Sequence, residues 1–322
     1  PDRANAVLLT STAAAGVAQV RAALQATFTL DDVGVTLRPL PTTDGVAVES
    51  ARILIEGPLA TAATEAATEL GVPASGVFSY LANAIRARGR EIPYSIISAV
   101  ESRTPGVSAA DPPGVEPIWL NQWAWRDLGV SEGDSVEVDY FHWQEDGRLI
   151  TRTARFRLGG RVASERDFDA TFAPSFPGVT EAQSIRGWDP PFPLELGRIR
   201  PQDEEYWRRY RSTPKAVIGL AAGQKLWASR FGRLSSVRIE GVAGERVAAT
   251  LRRHLNPEQA GFTITAVRQR GIEAAQGSTD FGEYFVYFSA FLIGSALLLS
   301  ALFFRLGIEQ RLREVGTLLA VG

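Results

Sequence analysis

The longest uninterrupted apolar stretch of the chain, Tyr284 to Phe304, predicts a helix that crosses a membrane. At a rise of about 1.5 Å per residue, its roughly 21 residues span about 32 Å, close to the roughly 30 Å hydrocarbon core of a bilayer. A buried helix of a soluble protein seldom holds more than about 14 unbroken apolar residues. The stretch therefore favours a single membrane span over a core helix.

Charged residues on the two sides of this stretch predict its orientation. Asp280 and Glu283 precede it, whereas Arg305, Arg311 and Arg313 follow it. Cytoplasmic flanks of membrane helices carry an excess of Lys and Arg, so the C-terminal side is predicted to be cytoplasmic and residues up to about 280 extracytoplasmic. Asp280 is also predicted to cap the helix, with Glu283 in capping-box spacing behind it.

Beyond the span, apolar residues recur with a helical period and predict an amphipathic cytoplasmic helix. Glu309 and Arg313 stand at i and i+4 on its polar side, the spacing of a favourable ion pair. Two interpretations stay open: a continuation of the membrane helix with a charged rim, or a docking helix for a cytoplasmic partner. The apolar stripe consists of Ile308, Leu312, Val315 and Leu319.

Before the membrane span, helix-period and strand-period patterns alternate along the chain. The stretch from Thr104 to Pro117, rich in Pro, Gly and Ala, is typical of a domain boundary, and Asp146-Gly147 predicts a tight hairpin. Predicted helices cover residues 17–26, 59–70, 121–128, 221–229 and 245–255. Predicted strands cover residues 33–38, 46–55, 76–87, 92–102, 135–143, 148–158, 216–220, 235–240 and 262–268.

These patterns predict an α+β fold: a mixed α/β extracytoplasmic domain with an inserted small β module, followed by one transmembrane helix. Residues 1–110 and 214–277 are predicted to form the two α/β portions of one body. The β module is placed at 111–165 and a loop-rich connector at 166–213. The transmembrane helix is placed at 278–306 and a cytoplasmic segment at 307–322, which we call the coupling segment.

Composition argues against several function classes. The chain has no cysteine and a formal net charge of −2, so neither disulfides nor a bulk attraction to nucleic acid is expected. His142 and His254 are its two histidines, and no zinc, phosphate-loop or nucleophile motif is present. We therefore predict no catalytic, metal-binding or cofactor-binding residues. The acid pairs Asp167/Asp169 and Glu204/Glu205 are interpreted as solvated or helix-capping groups.

Small residues in the span predict close contact with other membrane helices. Ala290 and Gly294 are four positions apart, and so are Ala296 and Ser300. Small residues at this spacing allow neighbouring helix backbones to approach closely. These four residues are the predicted helix-packing positions.

The last part of the chain resembles a known family. The run from Phe281 to Leu299, followed by that from Phe304 to Gly322, is similar to the second transmembrane helix and following cytoplasmic segment of FtsX-like ABC transporter permeases. That family carries the pattern E-x-R-x-R-E-[IV]-G-x-L-x-A-x-G. The matching positions are Glu309, Arg311, Arg313, Glu314, Gly316, Leu318, Ala320 and Gly322.

The resemblance implies which residues contact a partner. In such permeases this stretch meets the ATPase subunit, so ATPase-contact residues are expected at Glu309, Arg311, Leu312, Arg313, Glu314 and Gly316. The unit of small helix, Gly-Asp and strand within 118–143 resembles the MacB-like periplasmic core, which lies between the first and second membrane helices of that family. The remaining membrane helices would then lie outside this sequence, before Pro1 and after Gly322.

The resemblance implies a permease subunit of a mechanotransmitting ABC transporter in a bacterial inner membrane, with a large periplasmic or extracellular domain. Its expected partners are a cytoplasmic ABC ATPase, which would hydrolyse the ATP, and a second permease copy or homologue. It would export or extract a hydrophobic molecule, peptide or lipoprotein. The alternative is a single-span, membrane-anchored hydrolase or adhesion or binding domain. That alternative predicts a convergent polar pocket and a dispensable tail, whereas the permease predicts no such pocket and an essential tail.

Overall fold

A computed structural model describes residues 6–10, 16–41, 43–101, 115–144, 147–162, 169–276 and 281–322. The chain divides into two compact units. One unit is Ala18–Thr263, and the other combines Pro1–Val17 with Ile264–Gly322. Several predicted boundaries lie outside the described residues, as do most of the Thr104 to Pro117 stretch and Asp146 of the predicted hairpin.

A mixed sheet of nine strands, counted over the described residues, forms the centre of the first unit. The strands are β1 (Val35–Pro39), β2 (Gly45–Ser50), β3 (Ala74–Ala87), β4 (Arg90–Val100), β5 (Pro117–Leu120), β6 (Ser135–Trp143), β7 (Leu149–Arg161), β8 (Ala216–Gly219) and β9 (Ser236–Glu240). Their order is β1-β2-β9-β3-β4-β8-β5-β7-β6. The pairs β4–β8 and β5–β7 are parallel, and the other pairs are antiparallel.

The long strand β3 makes the sheet barrel-like. Its first half pairs with β9 and its second half pairs with β6, so the order β3-β4-β8-β5-β7-β6 returns to β3. Strand β9 lies between β2 and β3, so a strand from the later part of the chain pairs with strands from the earlier part in one sheet. Strands β5, β6 and β7 belong to the same sheet as the other strands. The inserted β module therefore stays a prediction.

Eight α-helices lie in the described residues. They are α1 (Gly16–Thr27), α2 (Gly57–Leu70), α3 (Gln122–Leu128), α4 (Pro201–Tyr210), α5 (Leu220–Trp227), α6 (Gly244–His254), α7 (Val267–Gln276) and α8 (Phe281–Val321). Local signals set their ends. Pro58 stands in the first turn of α2 and Gly71 ends it at φ 70°, while the Asn121 side chain caps α3 by accepting from the Ala124 N–H.

The three largest of the four apolar clusters in the described residues stabilise the first unit as follows. One fills the barrel-like ring, where Phe78, Ile97 and Ile218 are fully buried against α3 and α5. A second lies between β1-β2-β9 and the pair α2 and α6, whose alanines allow close packing. In the third, aromatic residues of the connector, such as Trp188 and Trp207, cover Ile96 of β4. The described part of the connector, residues 169–213, is therefore packed on the body and consists of three short 3-10 helices, the helix α4 and the loops between them.

A buried polar cluster attaches the start of the connector to the sheet. The Arg38 guanidinium of β1 donates to the carbonyls of Ala170, Thr171 and Ala173 and pairs with Glu49. Burial raises the pKa of Glu49, while Arg38 opposes the shift. The Glu49 carboxylate and the two terminal nitrogens of the Arg38 guanidinium have partners, which makes burying the charges tolerable, while Arg38 Nε is buried without a partner among the described residues.

One predicted strand is absent, and a second is shorter than predicted. The expected strand at 262–268 is absent: residues 262–266 have no regular structure, and Val267 begins α7. The alternation gives this segment one apolar face, but no neighbouring strand in the described residues pairs with it. The expected strand 46–55 ends at Ser50, because the chain turns and Ile53 takes the left-handed value φ 71°. Such a backbone cannot continue a strand.

Candidate functional site

All ten predicted site residues lie on one helix. Helix α8 runs from Phe281 to Val321 without a break, and the sequence contains no proline in that range. Its 41 residues correspond to about 62 Å, of which the apolar span takes about 32 Å. The predicted cap Asp280 lies outside the described residues.

Helix α8 is the one helix in the described residues that is long and apolar enough to cross a membrane. Mean hydropathy reaches 2.1 in an 18-residue window, and none of that window is buried. The exposed apolar side chains include Phe291, Leu298 and Phe303. The helix is compatible with membrane anchoring, and the coupling segment continues the apolar span as one helix.

One face of α8 continues from the span into the coupling segment. A helix of 3.6 residues per turn returns to the same direction after about 18 residues. Ala290 and Gly294 are therefore directly above Ile308 and Leu312 on this face. Two further pairs follow the same spacing, Leu297 with Val315 and Ala301 with Leu319. We call these eight residues the continuous face; Ala296 and Ser300 point about 120° away from it.

The charged residues of the coupling segment are exposed and weakly paired. Arg305 Nε lies 3.2 Å from Glu309 Oε1, and the two side chains are 81% and 56% exposed. The Glu309 carboxylate lies one turn from both Arg305 and Arg313. It pairs with Arg305, and the predicted ion pair with Arg313 is absent from the described residues. An exposed pair of this kind adds at most about 1 kcal/mol, so the charges of this segment do little for the fold.

At three glycines of α8, no contact with the described residues requires the absence of a side chain. A Cβ added at Gly294, Gly307 or Gly316 would meet no atom within 4 Å. Glycine inside a helix costs about 1 kcal/mol relative to alanine. A closely approaching second helix or partner surface is the usual physical reason for such positions. Gly307, at the join of span and coupling segment, was not among the predicted site residues.

The acids considered for catalysis have structural roles where the structure describes them. Asp169 accepts from the Thr171 N–H, and Glu204 accepts from the N–H groups of Ile185 and Arg186, 3.0 Å from each. Both are capping groups, as interpreted from the sequence; Asp167 lies outside the described residues. No group of three His, Asp or Glu side chains in the described parts of the chain is arranged to hold a metal ion.

The two histidines lie on different elements of the fold. His254 Nε2 lies 2.7 Å from Glu69 and its Nδ1 lies 3.3 Å from Glu65, so it links α6 to α2. The hydrogen bond with His254 lowers the pKa of Glu69. His142 lies on β6. This arrangement serves helix packing.

Comparison with protein-family models and with curated proteins gives no match to this chain. The functional interpretation therefore rests on the residue pattern of 309–322 and on the geometry of α8. Sequence reasoning found the helix and its faces. It missed Gly307, whose signal was an unexplained glycine inside a helical pattern, and the Arg305–Glu309 pairing.

Proposed function

We propose that this chain is part of a permease subunit of a mechanotransmitting ABC transporter, in which α8 couples a cytoplasmic ATPase to the extracytoplasmic body. The observation that carries the proposal is the unbroken helix from Phe281 to Val321. A helix without proline or a bulge bends little, so a displacement at the coupling segment reaches residue 281. Gly294, Gly307 and Gly316, where an added Cβ would meet no atom within 4 Å, support a second role for α8, as a surface for other subunits.

The membrane placement belongs to the same proposal. The coupling segment lies in the cytoplasm, the α/β body lies in the periplasm or extracellular space, and the membrane is a bacterial inner membrane. The ATPase approaches the apolar stripe Ile308-Leu312-Val315-Leu319, with Arg311, Arg313 and Glu314 around it. A charged rim around an apolar patch suits a contact that forms and separates with each cycle.

The alternative function is a single-span, membrane-anchored binding domain. Arg211 and Lys215 line a small cavity of the α/β body, which is the described feature nearest to the convergent polar pocket that this alternative predicts. The described residues around that cavity offer no nucleophile and base pair, so this alternative concerns binding instead of hydrolysis. The two functions differ in what the coupling segment does, and the experiment addresses that segment.

The test reconstitutes the intact permease with its ATPase in proteoliposomes and measures stimulation of ATP hydrolysis. Leu312→Asp places a charge in the apolar stripe, and Arg313→Glu places a like charge at i+4 from Glu309. At these exposed positions each costs the helix only a few tenths of a kcal/mol. We expect both to lose stimulation while Gln310→Ala, on the opposite side from the stripe, keeps it.

A second pair of variants tests the rigid connection itself. Gly307→Pro interrupts the helix between span and coupling segment at a cost of about 3 kcal/mol, because proline lacks the N–H and its ring clashes with the carbonyl of Phe303. Gly307→Ala strengthens the helix at the same position. We expect the proline variant to insert into the membrane and lose coupling, and the alanine variant to keep it. Normal stimulation in Gly307→Pro, Leu312→Asp and Arg313→Glu together would exclude the permease proposal.

A further inference from the structure

The end of α5 and the turn that follows it carry positive charge beside an exposed aromatic ring. We call residues 225–233 the basic segment. Its exposed cations are Lys225, Arg230 and Arg233, and it contains no acid. Phe231, between the two arginines, is 61% exposed. A single exposed apolar side chain is ordinary on a protein surface, but this one stands among three cations.

The three cations of the basic segment have no carboxylate partner among the described residues. Two acids on neighbouring segments have other partners. Glu56 pairs with Arg52. Glu101 accepts a hydrogen bond from the Gly76 N–H at 3.1 Å. The positive charge of the basic segment is therefore not neutralised by the described part of the body, and it attracts anionic partners.

A tight turn holds the tip of the basic segment in one conformation. Ser229 and Gly232 exchange two backbone hydrogen bonds of 3.1 and 3.2 Å, and the Ser229 hydroxyl accepts from the Phe231 N–H. The Arg230 guanidinium lies 4.8 Å from the centroid of the Phe231 ring. Because these contacts fix the backbone, the tip loses little conformational entropy when it meets a surface.

The basic segment lies on the side of the body from which the chain continues towards α8. Gly232 packs closely against the turn 51–55, where an added Cβ would lie 2.6 Å from a carbonyl oxygen. The same turn reaches Gly261, because a Cβ added there would lie 3.8 Å from Arg52 Nη2. Thr263, two residues after Gly261, is the last residue of this unit. The turn 51–55 therefore connects the basic segment to the point where the chain leaves the body.

The link between the body and α8 is short. It consists of residues 264–280, and ten of these form α7. At about 1.5 Å per residue in α7 and at most about 3.5 Å for each other residue, the link spans roughly 40 Å or less. If α8 crosses a membrane, as proposed, this side of the body stays within that distance of the bilayer surface. The basic segment is then able to reach the lipid headgroups.

We propose that the basic segment binds the surface of an anionic bilayer, with Phe231 inserted among the headgroups and Lys225, Arg230 and Arg233 facing lipid phosphates. Each cation close to such a surface raises the ratio of bound to free segment about fivefold. Aromatic side chains favour the headgroup region of a bilayer. The position beside the link to α8 favours lipid over an acidic protein segment. The proposal rests on the membrane placement of α8 and is independent of the ATPase.

A single label reports the position of the basic segment in the full chain. The sequence contains no cysteine, so Ala228→Cys provides one site for an environment-sensitive fluorophore. The labelled chain is placed in nanodiscs of phosphatidylcholine, or of phosphatidylcholine mixed with phosphatidylglycerol, and each lipid mixture includes a lipid with a nitroxide on its headgroup. We expect the nitroxide to quench the label in the anionic nanodiscs, with less quenching at high salt and little in the neutral ones.

Variants test the charges and the ring separately. Arg230→Gln combined with Arg233→Gln should lower the ratio of bound to free segment about thirtyfold, because two cations are lost. Arg208→Gln combined with Arg209→Gln is the matched control, since it removes two exposed cations of α4 and should leave quenching unchanged. Phe231→Ser should lower the ratio about tenfold, because no ring leaves the water. Thermal melting followed by tryptophan fluorescence confirms that each variant is folded.

Three outcomes would overturn the proposal: no quenching in the anionic nanodiscs, equal quenching in the neutral ones, or failure of α8 to insert. Polyglutamate tests the competing partner. If it shifts the label emission saturably while headgroups do not quench the label, the basic segment binds an acidic protein segment and the lipid proposal is wrong. A chain that inserts and shows charge-dependent quenching, yet does not stimulate its ATPase, would contradict the permease function and support the lipid contact.

Discussion

Asp203 is predicted to be the most sensitive charged position of the α/β body. It is fully buried in α4, and it accepts three hydrogen bonds from Arg200: from the backbone N–H at 2.9 Å, from Nε at 2.9 Å and from Nη2 at 2.7 Å. These bonds raise the pKa of Arg200. Replacing Asp203 with alanine would leave Arg200 and the first turn of α4 without this acceptor.

The loss of stability in Asp203→Ala depends on the partner that Arg200 keeps. Breaking a buried ion pair from one side costs about 3 to 5 kcal/mol, because the remaining charge is uncompensated. Arg200 keeps Asp127, whose Oδ2 lies 2.7 Å from its Nη2, so we expect the lower end, about 3 kcal/mol. For a body of this size each kcal/mol lowers Tm by about 2 to 4 °C, which predicts a decrease of about 6 to 12 °C.

Thermal unfolding followed by tryptophan fluorescence measures this effect. All seven tryptophans lie between Trp119 and Trp227, so the signal reports the α/β body and is independent of α8. Glu205→Ala is the control, because it removes a neighbouring acid that is exposed, and it should change stability by less than about 0.5 kcal/mol. A Tm loss in Asp203→Ala no larger than that of Glu205→Ala would refute the reasoning.

Three further predictions concern packing, assembly and pH. Gly223→Ala should destabilise the body by about 1 to 3 kcal/mol in the same melting assay, because its Cβ would lie 2.2 Å from that of Ala99, while Gly57→Ala meets no atom and should not. Gly294→Leu should weaken assembly with other membrane helices on native gels without preventing insertion, because the chain itself leaves that position open; unaltered assembly contradicts a packing role. Burial lowers the pKa of Lys215 from 10.5 to about 8, so the unfolded chain binds more protons than the folded chain between these values. The free energy of unfolding should therefore rise with pH across that window by up to about 3 kcal/mol, and denaturant titrations should show no such rise in Lys215→Met.

Local interactions explain what could be predicted from the sequence alone. Helix α8 follows from a charge-free apolar run, because in a bilayer each backbone group must bond within its own helix. Helices α2 and α3 were predicted near their observed limits, since Pro58, Gly71 and Asn121 act on adjacent residues. The strand β6 was predicted at its observed bounds from alternation next to turn residues. The helix-period stripe of 308–319 likewise defined the face of the coupling segment.

The tertiary structure decided everything that depends on distant partners. No local signal places β9 between β2 and β3, or brings β6 back to β3, because pairing depends on the whole sheet. The alternation at 262–268 looked like a strand, yet no neighbour pairs with it there. The cavity shows the same limit: Tyr94, Trp188 and Lys215 come from three separate parts of the chain, and their burial is a property of the packed body. The sequence shows only a lysine before an apolar strand, whereas the fold buries that lysine and places its Nζ 4.9 Å from the ring centroids of Trp123 and Tyr206.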